Sequence, residues 1–549
     1  MRLPSLSLLS AAASVVFGFR LPAPGNPEYQ SLALKDRALR AHQSRLTDST
    51  VEQQRATAVK DAFTFAWNGY FTTCKGQDEL EPVTNTCTNP RNNWGASAVD
   101  ALSTALVMGS QPIVTDILDY IATIDFTTTA TEVSLFETTI RYMAGMLSGY
   151  DLLEGPLSNL TTNASAVDTL LAQAKSLADS LSFAFNTSSG IPSNNLYFTN
   201  QTNDGATTNG LADIGTLCLE WQHLSDLTGD PSYGDLAQKA ETYLLNPLPE
   251  SNEPFPGLVG TNVNISNGIF LDATGGWNGG DDSFYEYLIK MYVYDSSRYS
   301  NYSDRWIMAA DSTIKYLTSN PASRPDLTFL ASYVNTAFVN SSEHLTCFDG
   351  GNFLLGGSVL GRQDYIDFGL ALVNGCHDLY NSTLTGIGPE IFSWNTTGVD
   401  STNEAFYDAN GFYITDPLYD LRPEVMESFY YAYRITGEAS IATLRVRARR
   451  LTDWMEGNTM YQDWAWNAFV AINATTRVGQ GFSAISDVDA ANGGSFDNVQ
   501  ESFLFAEVMK YSYLIHAPDS IFQVASNGTK NQFVFNTEAH PLKVVGPPV

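Results

Sequence analysis

From about Ala56 onward, stretches in which apolar residues recur every three to four positions alternate with breaks rich in Gly, Pro, Asn and Asp. That spacing marks helices with a buried face, and strand-like alternation is sparse. Helices are predicted over Ala58–Phe71, Ser97–Met108, Ile113–Ile124, Leu135–Leu153, Ala166–Phe183, Asn209–Leu227, Tyr233–Leu245 and Ser283–Tyr294. The second half adds Asp304–Thr318, Asp364–Tyr380, Pro423–Ile435, Ala439–Glu456, Asp463–Ile472 and Asn498–Ile515. No Pro/Ser/Thr-rich linker divides them, so the fold class is all-α. Several helices, such as the one from Ser283, are apolar almost all the way round, as expected of inner helices covered by an outer layer. With no repeat of fixed period, a closed toroid of helical hairpins fits better than an open solenoid. The strand-like Gln532–Phe535 is expected in a loop or short hairpin at one mouth of that toroid, and the glycine-rich Gly350–Gly361 in a loop.

The N-terminus departs from this pattern. Met1 and Arg2 precede a short apolar stretch, Leu6–Gly18, and then the polar, Pro-rich Leu21–Glu28. This is the layout of a signal peptide. The expected division is a signal peptide over 1–18, an N-terminal extension over 19–45 and a catalytic domain over 46–549, with the mature protein secreted, free of the membrane and monomeric. Sequons at Asn159, Asn163, Asn186, Asn200, Asn264, Asn301, Asn340, Asn381, Asn395, Asn473 and Asn527 agree with that route. The five cysteines suggest two disulfides, Cys74 with Cys87 and Cys347 with Cys376, and a buried free thiol at Cys218.

Charge narrows the partners. The formal net charge of -30, from 59 acidic against 29 basic residues, argues against nucleic acid and anionic lipid. With six histidines and no His-Glu-x-x-His helix, Cys-x-x-Cys pair, Gly-x-Ser-x-Gly elbow or phosphate loop, zinc hydrolysis, serine esterase and nucleotide-driven chemistry are set aside.

What remains is a set of carboxylates inside aromatic, apolar helices, where charge is costly unless paired or used. Glu137 and Arg141 stand at i and i+4 and can pair across one turn. Asp281 and Asp282 follow two glycines at a helix start, where capping is the plain structural reading. Pro423 opens a helix carrying Glu424 and Glu427. Glu501 and Glu507 flank aromatics, and Glu538 sits in Phe535–Pro541. Glycoside hydrolysis requires a protonated acid at the leaving oxygen and a carboxylate that attacks or activates water. Buried carboxylates beside aromatic rings meet that requirement.

These segments together resemble the class I α-mannosidases, glycoside hydrolase family 47, in its secreted fungal type. The matching motifs are 136–141 (Phe-Glu-Thr-Thr-Ile-Arg), 282–288 (Asp-Ser-Phe-Tyr-Glu-Tyr-Leu), 344–348 (His-Leu-Thr-Cys-Phe), 388–390 (Gly-Pro-Glu), 421–424 (Leu-Arg-Pro-Glu), 501–503 (Glu-Ser-Phe) and 535–541 (Phe-Asn-Thr-Glu-Ala-His-Pro), in family order. The resemblance implies an (α/α)7 barrel that removes terminal α-1,2-linked mannose from high-mannose N-glycans by inversion, with Ca2+ near its floor. It makes Glu137 the general acid, Glu424 the base and Asp282 a third essential carboxylate, with the proton assignment among them open. Thr537 would hold calcium through its hydroxyl and carbonyl, as a hard cation with flexible coordination requires. Phe503 would stack under the terminal sugar, with Arg141, His344, Arg422, Glu427, Glu507 and Glu538 lining the substrate pocket. The family's disulfide corresponds to Cys347 and Cys376.

Three positions depart from the common pattern: Ser103 where many members carry Asp, Asp213 where Glu is usual, and Gly280 where some members place a larger, branch-selecting side chain. Gly280 is expected to open the pocket to several branches. Two competing readings are a catalytically inactive mannose-binding lectin of the same fold and an (α/α)6 glycosidase needing no calcium. The four key residues, Glu137, Asp282, Glu424 and Thr537, are all present, which speaks against the first, and the motif order speaks against the second.

Overall fold

A computed structural model describes residues 27–437, 459–526 and 528–549, with side chains from residue 50. The predicted signal peptide, the predicted helix Ala439–Glu456 and the sequon at Asn527 lie outside the described residues. Of the expected extension 19–45, only the backbone from Pro27 is described, as the start of the helix Pro27–Cys74. Arg55–Val549 forms one compact unit.

Within that unit, seven inner helices among the described residues follow one another around a ring. In order they are Ala96–Val107, Ala144–Glu154, Cys218–Thr228, Asp282–Tyr294, Asp349–Leu360, Glu424–Thr436 and Met509–Leu514. Each packs on the next, and the π-helical turn Leu504–Val508 that leads into the last packs back on the first. The first five are each followed by an outer partner: Gln111–Ile121, Ala164–Leu181, Ser232–Leu245, Ser300–Ser312 and Gln363–Asn381. Met460–Thr475 covers the sixth and seventh. This is the (α/α)7 barrel.

Sequence decides which layer a helix occupies. Every residue of Ala96–Val107 is buried, whereas Gln111–Ile121 buries only Ile113, Val114, Ile117, Leu118 and Ile121, a stripe at helical spacing. The core between layers is aromatic, and its indole N–H groups have partners: Trp221 on Thr139 Oγ1 (3.2 Å), Trp277 on Thr313 Oγ1 (2.9 Å) and Trp306 on Asn352 Oδ1 (2.8 Å).

One expectation needs correction. The glycine-rich Gly350–Gly361 is no loop: all of it but Gly361 lies in the inner helix Asp349–Leu360, and Gly361 caps that helix. Glycine costs about 1 kcal/mol per position against alanine in a helix, but here it allows close approach of neighbours. A Cβ on Gly356 would lie 2.1 Å from the Trp306 ring, one on Gly350 2.7 Å from Val373 and one on Gly357 2.6 Å from Ile366. The segment around Gln532 forms a short hairpin as expected, Phe533–Phe535 paired antiparallel with Pro541–Lys543. Phe533, Val534, Phe535, Pro541 and Leu542 are buried, and the two strands pack on the inner helices Asp282–Tyr294 and Ala144–Glu154.

The mouth is framed by other short sheets that lead into inner helices. Val133–Ser134 pairs with Asn195–Tyr197 just before Glu137, and Ser341–Glu343, Ile391–Ser393 and Tyr413–Asp416 form a three-stranded sheet ahead of His344 and Glu424. Disulfides join Cys74 to Cys87 and Cys347 to Cys376, and Cys218 is free and buried.

Candidate active site

The N-terminal turns of the inner helices converge on a cavity of about 280 Å³. Its wall includes Glu137, Arg141, Asp282, Arg422, Glu424, Glu427, Phe503, Glu507, Thr537 and Glu538. These segments are far apart in the chain, so only the closed ring brings them together. Glu424 is the first helical residue after Pro423, and Asp282 opens its own helix after Asp281. Glu137 lies in the short helix Leu135–Thr138, capped by Ser134, whose hydroxyl accepts from the Glu137 N–H at 3.2 Å. Arg141 and Glu507 sit in the π-helical turns Thr139–Met143 and Leu504–Val508. Such turns shift side chains off the regular helical rows and recur at functional sites.

Around Glu137 the chemistry is ionic. Arg141 Nε donates to its Oε2 at 2.8 Å, and Arg91 Nη2 lies 3.5 Å from Oε1. The Arg141 Nη1 also bonds Glu538 Oε1 and donates to Ser502 Oγ at 3.3 Å, with Asp100 Oδ2 3.7 Å away. Burial pushes the Glu137 carboxyl up, but the Arg141 and Arg91 charges outweigh it and hold the group below the ordinary range. The Arg141 guanidinium centre lies 5.5 Å from the Phe503 ring centroid, which also fixes that ring at the wall.

Around Glu424 the partner is an imidazole. His344 Nδ1 donates to Glu424 Oε2 at 2.7 Å, and Tyr380 OH donates to Nε2 at 2.8 Å. Burial again raises the carboxyl, and contact with His344 and the charge of Arg422 more than compensate, so Glu424 is held low. Arg422 is in turn forked by Glu390, whose two oxygens both lie 2.7 Å from Nε. The residue before Arg422, Leu421, has φ +57°. A left-handed apolar residue costs about 1–3 kcal/mol and persists only where its surroundings over-determine it.

Asp282 differs from both. It accepts from the Ser283 N–H at 2.8 Å but faces no cation among the described residues, so burial and then the like charges of Glu286, Glu343 and Glu424 raise it to about 7. Glu427 and Glu538 are both pushed up to about 8 by burial, and Glu507 is also raised by burial and by Glu538.

Every expected substrate residue except one reaches this cavity. His344 is fully buried behind Glu424 and does not line the wall. Its position one turn before the inner helix Asp349–Leu360 points the ring at the carboxylate instead of at the space a sugar would occupy. Residues not anticipated as part of the site include Arg91 and Asp100 beside the Glu137–Arg141 pair, Glu286 on the wall and Glu390 beneath Arg422. Two of them carried a signal: Glu286 and Glu390 lie in the motifs 282–288 and 388–390, and Glu286 is also spaced i,i+4 to Lys290, with which it pairs. Gly280 does line the cavity, at φ +94°, and its peptide oxygen accepts from Ala212 N–H at 2.9 Å. Glycine there answers a backbone need as well as leaving space. Ser103 donates to or accepts from His540 Nδ1 at 2.8 Å, on the hairpin side of the barrel.

The floor is the turn Asn536–His540. The Asn536 side chain donates to Ile140 O (3.0 Å) and Glu220 Oε1 (2.9 Å) and accepts from the backbone N–H groups of Glu538 (3.0 Å) and His540 (2.8 Å). Among the described residues, neither the Thr537 hydroxyl nor its carbonyl is engaged in a hydrogen bond. No three His, Cys, Asp or Glu side chains converge on a single point among the described residues. A cation here would therefore rest on the Thr537 oxygens and on water, with Glu286, Glu427, Glu507 and Glu538 supplying negative surroundings from the same wall. The donor set fits a hard, oxygen-seeking ion.

The sequence profile of glycosyl hydrolase family 47 matches residues 62–448 and 454–544. The chain is 57% identical over 544 residues, 99% of each chain, to mannosyl-oligosaccharide alpha-1,2-mannosidase 1B of Aspergillus phoenicis. It is 60% identical over 492 residues to mannosyl-oligosaccharide alpha-1,2-mannosidase of Penicillium citrinum, covering 90% of this chain and 92% of that one. The solved alpha-1,2-mannosidase from Trichoderma reesei superposes with a TM-score of 0.85 at 48% identity, covering 90% of this chain and 99% of that one.

Proposed function

This chain belongs to glycosyl hydrolase family 47, and from that premise we propose a residue-level account of its cavity. It is a glycosidase that removes α-1,2-linked mannose from high-mannose oligosaccharides, and it does so with inversion and with calcium. The observation that carries the account is the contrast between two buried cavity carboxylates: Glu424 accepts from His344 Nδ1 at 2.7 Å and is held low, while Asp282 faces no cation among the described residues and is raised by burial to about 7.

Glu424 takes a proton from a water that attacks the anomeric carbon from the face opposite the leaving oxygen, as inversion requires. His344 holds the carboxylate in place. The leaving oxygen is protonated from Asp282. Family resemblance gives that role to Glu137, but a donor must be protonated at the start of the cycle, and Glu137 is ion-paired to Arg141 and Arg91. Glu137 instead orients water and hydroxyls on the acid side and offsets the positive charge that develops on the ring. Phe503 offers an apolar face to the sugar, and Arg422, clamped by Glu390, presents donors at the rim. Bound at Thr537, calcium would supply Lewis-acid binding of sugar hydroxyls. The leader-like N-terminus, the sequons and the two disulfides support export, and no described helix is long and apolar enough to cross a membrane.

A panel of α-1,2-, α-1,3- and α-1,6-linked mannobiosides, incubated with and without a calcium chelator, tests the reading. Release from the α-1,2 isomer alone, abolished by chelator and restored by Ca2+, is the expected result. Mannose binding with no release in calcium would favour the lectin.

A further inference from the structure

Lys290 and Lys510 are buried almost completely, at 1% and 0% exposure, and the account above uses neither. A buried ammonium is costly unless it is paired or fully hydrogen-bonded. Lys290 pairs with Glu286 one turn away, but its Nζ also donates to the Asn536 carbonyl at 3.3 Å. Lys510 makes no ion pair among the described residues. Its hydrogen bond goes to the Ala539 carbonyl, at 2.6 Å.

Those two carbonyls bracket Thr537. Asn536 is the residue before it and Ala539 the second after, and the ammonium groups arrive from different inner helices, Asp282–Tyr294 and Met509–Leu514. The turn between them is strained, since Ala539 has φ +56°, and it closes on itself through Asn536 N–H to His540 O (3.0 Å) and Ala539 N–H to Asn536 O (3.1 Å). A strained turn keeps one conformation only when its surroundings over-determine it. Tyr287 OH accepts from the Thr537 N–H at 3.2 Å, which leaves the carbonyl and hydroxyl of Thr537 as its free oxygens.

We propose that Lys290 and Lys510 are positioning residues for the cation: they grip the turn on both sides of Thr537 and aim its two oxygens at one point. The inference rests on the calcium reading above. It also runs against simple electrostatics, because any positive charge beside a cation site repels the cation. The lysines are retained for geometry, much as outer-shell partners fix the ligands of other metal sites.

The sign of the effect separates the two views. Calcium binding to the metal-free full chain is measured by isothermal titration for wild type, Lys510→Met and Lys290→Met. Positioning predicts affinity weaker by roughly 10- to 100-fold in each variant, with mannose release recovering toward wild type as Ca2+ is raised. Unchanged or tighter binding in the folded variants would overturn the proposal. If Lys510→Met does not fold, Lys510→Gln, which keeps a donor and drops the charge, gives the answer. Affinity weakened by about threefold or more supports the grip, since the shorter Gln side chain loosens the contact with the Ala539 carbonyl; unchanged or tighter binding overturns it. A wild-type chain that binds no Ca2+ at all would defeat the calcium reading itself, a result distinct from any difference between variants.

Discussion

The two walls of the cavity hold their carboxylates in different ways. On one side Glu137 is locked in a network with Arg141, Arg91, Glu538 and Asp100. On the other, Glu424 rests on the ring of His344, which is backed by Tyr380; Asp282 belongs to neither network and has only its own helix start. An arginine network holds charge and geometry but is poor at releasing or gaining a proton. A single imidazole N–H fixes its partner at one oxygen only and adds no ion-pair network around it. The contrast teaches that a cavity rich in acids need not be rich in acid–base catalysts: in the mechanism proposed above, the ionic wall builds the site and the carboxylates outside it carry the proton transfers.

The largest expected effect tests the reactive wall. Glu424→Gln should lower kcat by roughly 10²–10⁴-fold with an unchanged melting temperature; a variant within tenfold of wild type would remove Glu424 as base. Arg141→Ala probes the ionic wall, and there the cost should appear in stability. It leaves Glu538 buried without its cation, a loss of about 3–5 kcal/mol, read by chemical denaturation. Little change would mean that the network does not build the site.

Asp282→Asn comes next. In wild type, kcat/KM should fall as pH rises through about 7, because deprotonation of Asp282 removes the acid. The variant should lose roughly 10²-fold or more in kcat and lose that limb of its profile. A limb that persists would return the acid role to Glu137. His344→Gln should cost roughly 10- to 100-fold and move the acidic limb to higher pH, since contact with His344 is what lowers Glu424. An acidic limb that stays in place would uncouple the two residues. The smallest effect belongs to Gly280. Its added Cβ would meet only Thr261 Cγ2, at 3.5 Å, so Gly280→Ala should keep most activity and lose about 1–3 kcal/mol from the φ of +94°. The wild type should also cleave several α-1,2 branches at comparable rates, and strict preference for one would show that Gly280 does not open the pocket.

Much of this was legible in the chain. Apolar periodicity placed the inner helix Asp282–Tyr294 to within a residue of Ser283–Tyr294 and its layer from its all-round apolar surface. Motif order brought Glu137, Asp282, Glu424 and Thr537 to one place before any geometry was known. The failures share a cause in tertiary context. Gly350, Gly356 and Gly357 read locally as helix breakers, and only the neighbouring Trp306, Val373 and Ile366 explain their use in a helix. Asn209–Leu227 was expected as one helix and is two, Leu211–Gly215 and Cys218–Thr228. His344 travelled with a pocket motif, and nothing in its sequence neighbourhood says that it stands behind a carboxylate instead of at the wall. Nor could spacing alone place Lys510 against a turn 29 residues away.

The most direct test of the account follows the anomeric proton of mannose by ¹H NMR in the first minutes of hydrolysis of an α-1,2-linked substrate, before mutarotation mixes the products. Attack by water activated at Glu424 predicts β-mannose as the first signal. α-Mannose appearing first would mean retention, and would contradict the assignment of Glu424 as a base that works through water.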